Sequence, residues 1–104
     1  MGPPLYSGYE NYLAILARSN TRNITSLIQS ADFKTVKVIV EILVNILKGI
    51  IQLKEKELEQ FRPFKLIVNK LISTKTRLAG KKRILSDNPV LVKFAARVLL
   101  NYIE

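Results

Sequence analysis

The stretch Phe33 to Lys48, FKTVKVIVEILVNILK, decides how the rest of this chain is read. Its apolar residues Val36, Ile39, Val40, Leu43, Ile46 and Leu47, continued by Ile50, recur at i, i+3, i+4 and i+7, which is a helical period. Placed about 100° apart, Lys34, Lys37, Glu41, Asn45 and Lys48 fall on one narrow stripe. A helix that is apolar around most of its circumference needs neighbours on several sides. Ser30 or Asp32 can cap its start, and Gly49 stands where a left-handed residue would end it. The β-branched run VIVEI would also suit a strand, but the sustained period, the length and both end signals select a central helix at about 33–48.

Outward from that helix, the same signals repeat on shorter elements. Met1 to Tyr6 is a Pro-rich lead, expected to be extended. Ser7 to Glu10 fits a capping box and opens a short helix with Tyr9, Tyr12, Leu13 and Leu16 on its apolar face. Asn20 or Thr21 starts a second short helix that uses Ile24, Leu27 and Ile28. After Gly49 comes an apolar connector, Ile50 to Leu53, and then a charged helix from Lys54 to Phe61. Pro63 lacks a backbone donor, so that helix must break or kink near Arg62. Beyond it, Phe64, Ile67, Val68 and Leu71 form another helical stripe. Residues 73–83, STKTRLAGKKR, show no clear period and read as a basic loop with at most one helical turn at its end. Asn88 as cap and Pro89 at the first helical position then open a last helix, Val90 to Ile103, with Lys93, Arg97 and Asn101 on one face. The expected fold is all-α, a compact single-domain bundle of five to six short helices around the central one.

With 104 residues, 48% of them hydrophobic, and a mean hydropathy of +0.14, the chain can bury a modest core. It has no cysteine and no histidine. The first absence removes disulfides and thiolate metal sites, and the second removes the usual general base and the commonest metal ligand. There is no G-x-S-x-G, P-loop or H-E-x-x-H, and Glu55, Glu57 and Glu59 are spaced for solvent rather than as a convergent pair. The sequence therefore predicts a non-enzyme with no cofactor and no metal. The N-terminus has neither the basic nor the apolar region of a secretory signal, and no window has the roughly 18 apolar residues of a membrane span. An intracellular protein is expected.

The charge is one-sided. Seventeen Lys and Arg oppose eight Asp and Glu, for a formal charge of +9. Residues 1–60 hold seven of those bases and six of the acids, so the second part of the chain carries nearly all the excess. The bases Arg62, Lys65, Lys70, Lys75, Arg77, Lys81, Lys82 and Arg83 follow one another with no acid between Gln60 and Ser86. Such a run is suited to phosphate neutralisation on DNA or RNA, without sequence readout. Acids at 55–59 and bases near 70 would also complement a helix dipole, but that account does not reach Lys81, Lys82 and Arg83. Those three alone resemble a short nuclear-localisation cluster. Phe61 and Phe64, flanking Pro63, read as core anchors rather than stacking platforms for bases.

The last helix has more apolar surface than an isolated surface helix needs. Packing on the central helix is the plain reading. Self-association of a scaffold or interaction module through Phe94, Val98, Leu99 and Tyr102 is the alternative, and a membrane-surface helix with Lys93 and Arg97 on its polar side comes third.

Glu41-Ile-Leu-Val-Asn45-Ile-Leu-Lys-Gly49, then Leu53, Phe61-Arg-Pro-Phe-Lys65, Lys75 and Lys81-Lys82-Arg83-Ile-Leu85 resemble a family of small basic proteins. These are encoded in animal DNA viruses and virus-like elements of the adintovirus and Maverick/Polinton type. The resemblance spans residues 38–85. It implies a virion-associated protein, either a minor capsid component or a DNA-condensing core protein, found in the virion or the host nucleus. Its partners would be nucleic acid or capsid protein. Family members often continue after the basic cluster into a Gly-rich apolar tail. Here Asp87-Asn-Pro and an amphipathic helix stand instead.

Overall fold

The computed structural model describes residues 6–73 and 75–103. Seven α-helices occur among them: α1 (Glu10–Arg18), α2 (Thr21–Gln29), α3 (Phe33–Leu47), α4 (Glu55–Phe61), α5 (Lys65–Ile72), α6 (Leu78–Asp87) and α7 (Pro89–Ile103). A 3-10 turn, Arg62–Phe64, joins α4 to α5 without leaving helical backbone angles, so these three pieces form one bent rod. Pro63 causes the bend, because it has no N–H to give to the turn below. The described residues thus make six helical rods, α3 among them, and no strand. The chain packs to a radius of gyration of 12.6 Å, close to the roughly 13 Å of a compact chain this long.

The ends of α3 form as the sequence predicts. The Asp32 carboxylate accepts from the Thr35 N–H at 2.8 Å and from the Thr35 hydroxyl at 2.6 Å. Gly49 takes φ +79°, the left-handed region that side chains disfavour. The Gly49 N–H then donates to the Ile46 carbonyl, while the N–H groups of Ile50 and Ile51 both donate to the Asn45 carbonyl. That turn sends Ile51 into the core and leaves Ile50 exposed. Within α3, Val36, Val38, Ile39, Ile42, Leu43 and Ile46 are buried. Lys34, Lys37, Glu41 and Lys48 are exposed along the narrow stripe. The buried arc is wider than the spacing predicts, because α5, α6 and α7 all pack against this helix.

Four expectations are corrected. Ser7 does not cap α1. Gly8, at φ +88°, turns the chain first, Tyr9 occupies the cap position without a side-chain bond, and the Tyr9 N–H donates to the Tyr6 carbonyl. The extended lead lies outside the described residues except for Tyr6, which belongs to this turn and packs on the core. Asn88 stands before Pro89 and its carbonyl accepts from the N–H groups of Leu91 and Val92, but its side chain does not cap α7. Its amide donates backwards to the Ile84 carbonyl at 2.8 Å, closing α6.

The third correction concerns residues 73–83, which are not a loop throughout. From Leu78 onward they are the first turns of α6, because Leu78 and Leu85, two turns apart, lie on one inward side. The fourth concerns α7, whose apolar surface is used inside the chain. Leu91, Val92, Phe94, Ala95, Ala96, Val98 and Leu99 are all buried, and α7 lies against α1 and α2 as well as α3. Of the four residues expected to self-associate, Phe94, Val98 and Leu99 are therefore not on a free surface. Only Tyr102 is exposed. Phe61 is the anchor expected of it: it is 2% exposed, and its ring stacks on that of Phe94 with centroids 5.8 Å apart.

Candidate nucleic-acid interface

The basic run begins where the bent rod turns. Arg62 is exposed on the 3-10 turn, and α5 presents Lys65, Asn69 and Lys70 to solvent while burying Val68 and Leu71. Leu66 stands among these polar residues and is 79% exposed, the most exposed large apolar side chain among the described residues. The turn after α5 is tied by Ser73. Its hydroxyl accepts from the Lys75 N–H at 3.2 Å, and its carbonyl accepts from the Thr76 N–H at 3.2 Å. Lys75 and Arg77 are exposed on it. Arg77 then occupies the cap position of α6. No side chain caps that end, so the first-turn N–H groups are left to solvent or an anion.

Lys81, Lys82 and Arg83 do not act as one cluster. Consecutive helical residues turn by about 100°, so three in a row fan across more than half the circumference. Arg83 is exposed, whereas Lys81 and Lys82 flank the buried Leu85 side and are each half-buried. Lys82 is engaged: its Nζ donates to the Ala31 carbonyl at 2.6 Å, just past the end of α2. The same seam is held by the Thr25 hydroxyl, which donates to the Ser86 carbonyl at 3.0 Å. A cation at a helix C-terminus is favoured by the exposed carbonyls there. The pKa of the Asp32 carboxyl is lowered from its ordinary value. The Thr35 hydroxyl and N–H bonds are the main cause, with Lys34 and Lys82 adding to them.

Of the eight predicted residues, Arg62, Lys65, Lys70, Lys75, Arg77 and Arg83 therefore offer exposed cationic side chains on the 3-10 turn, α5, the following turn and α6. Lys81 is half-withdrawn, and Lys82 serves the fold. The placement of Lys82 has no local sequence signal, because Ala31 is 51 residues away. The polar face of α7 is present as read, but its surroundings are not local either. Lys93, Arg97 and Asn101 face Glu57 and Gln60 of α4 across a groove.

The described residues hold no group of three acidic side chains that could bind a metal, and no helix among them is long and apolar enough to cross a membrane. The chain matches no protein-family model, and comparison with curated proteins and with solved structures returns no match.

Proposed function

We propose that this protein is a non-enzymatic nucleic-acid-binding component, a minor capsid or core protein of the virion-associated kind that the resemblance of residues 38–85 implies. It grips the phosphate backbone through Arg62, Lys65, Lys70, Lys75, Arg77 and Arg83. One observation carries the reading: six exposed cations are spread along the 3-10 turn, α5, the turn after it and α6, with no acid between Gln60 and Ser86 in the sequence. Exposed cations without acidic partners release phosphate counterions on contact, so the binding is electrostatic and strongly salt-dependent. Base readout is not expected, since phosphate contacts position a protein without specifying sequence.

Fluorescence anisotropy with a short labelled duplex, titrated from low to physiological salt, tests this. Three or four phosphate contacts would give a slope of log affinity against log salt of about −3 to −4. Replacing Lys65, Lys70, Lys75 and Arg77 together by Ala leaves Arg62 and Arg83 and should reduce that slope to about −1 at unchanged thermal stability. Equal affinity and slope in parent and variant would refute the assignment.

A further inference from the structure

A cavity lies between α4 with its 3-10 turn and α7. Its volume is about 430 Å³, within the roughly 300–1,000 Å³ range of small-molecule sites. Its floor is apolar. Phe94 is fixed there by its stack on Phe61, Phe64 packs beside the core, and Val90 is 56% exposed although it is apolar. Its rim carries Lys93 and Arg97, four residues apart on α7 and so on one side of that helix. The one acid among its lining residues is Glu57, which keeps its charge, so the rim carries two cations against one anion. The Glu57 carboxylate accepts the Lys54 N–H at 2.8 Å, which closes the first turn of α4.

From this arrangement we infer that the α4–α7 groove is a binding site for an amphiphilic carboxylate, an anionic head on an aliphatic or aryl body. The two cations hold the head by charge-assisted hydrogen bonds, and the body covers Val90 and the Phe64–Phe94 floor. Apolar surface at the floor with two bases against one acid at the mouth favours an anionic head over a cation or a neutral polar ligand. The site is independent of the nucleic-acid reading, since it shares no base with it, although Phe64 lies between Arg62 and Lys65.

Isothermal titration of the full chain with dodecanoate, kept below micelle-forming concentrations, tests the assignment. The parent should bind one dodecanoate saturably. Lys93→Gln with Arg97→Gln should weaken binding at least about tenfold, or about 1.4 kcal/mol, with an unchanged thermal transition. Lys65→Gln with Lys70→Gln should leave it intact, which excludes general attraction to a basic protein. Dodecyltrimethylammonium should not bind, and amide chemical-shift changes should gather in 55–64 and 90–101. No saturable binding up to about 1 mM, equal binding by the Lys93/Arg97 variant, or shifts centred elsewhere would overturn the inference. So would a dimer in sedimentation of the ligand-free parent that the same variant abolishes, because the occupant would then be a second copy.

Discussion

Lys82 of α6 places its Nζ 2.6 Å from the carbonyl oxygen of Ala31, so a residue from the middle of the KKR run closes the end of α2. Two adjacent bases in this run thus have different tasks. Lys82 joins helices, and Arg83 meets solvent. Lys82→Met keeps the apolar stem and removes the donor. It should cost about 1–2 kcal/mol, in the range for hydrogen bonds from charged groups at a partly buried site. Arg83→Ala should change stability by no more than about 0.5 kcal/mol. Urea denaturation of both variants checks this, and equal losses would contradict the division of roles.

The Phe61–Phe94 stack ties the bent rod to α7. Phe61→Ala removes a ring that is 2% exposed and should lose about 3–5 kcal/mol, a large share of what holds a small domain folded. Phe61→Leu refills much of the space and should lose clearly less. A double-mutant cycle with Phe94→Leu should show a coupling of about 0.5–1.5 kcal/mol, as aromatic pairs do. Zero coupling in denaturant midpoints would mean that the rings merely share the core.

Tyr12 has a buried Oη without a hydrogen-bond partner, and its ionisation is pushed up, first by burial and then by the nearby Asp32 charge. An unpaired buried hydroxyl is unfavourable, so Tyr12→Phe should hold or raise stability by up to about 1 kcal/mol. The pH dependence has a definite sign. The folded-state pKa is raised, so the phenol contributes stability below its unfolded value of about 10 and loses it as pH rises further. Tyr12→Phe should therefore be less sensitive than the parent to alkaline unfolding. A variant less stable at neutral pH would indicate a partner for this hydroxyl.

Asp32 gives the opposite slope. Its folded pKa is lowered, chiefly by the Thr35 bonds. Its contribution is complete above the unfolded value of about 4 and disappears as pH falls through the folded value. Asp32→Asn keeps an oxygen for the Thr35 N–H, so it should fold normally at neutral pH. It should also lose less stability than the parent on acidification. Superimposable acid-unfolding curves would remove Asp32 as the cause.

Much of the fold is local and therefore readable from one sequence. The 3.6-residue period of Val36 to Ile46, the Asp32 cap, the Gly49 turn, the Asn20 start of α2 and the break at Pro63 each depend on residues within one or two turns. Where local signals misled, a competing local geometry prevailed. The left-handed turn at Gly8 displaced the Ser7 cap, and the Asn88 amide bonded backwards to Ile84 rather than forwards. Exposure of Arg62, Lys65, Lys70, Lys75 and Arg77 was likewise legible, since each lies off an apolar stripe or in a segment without one.

By itself, the sequence determined an all-helical chain with a central apolar helix and a one-sided excess of positive charge. These follow from residue type and short-range spacing, which fix backbone preference and net field without reference to distant partners. Only the tertiary structure decided which bases remain free. Lys82 meets the Ala31 carbonyl because α2 and α6 pack side by side, and no spacing within 81–83 encodes that contact. It also decided that Phe94, Val98 and Leu99 are core and that Lys93 and Arg97 overlook a groove. An amphipathic helix announces that it needs an apolar neighbour. Which neighbour it finds, in this chain α1, α2 and α3, depends on how all the helices divide a limited interior among them.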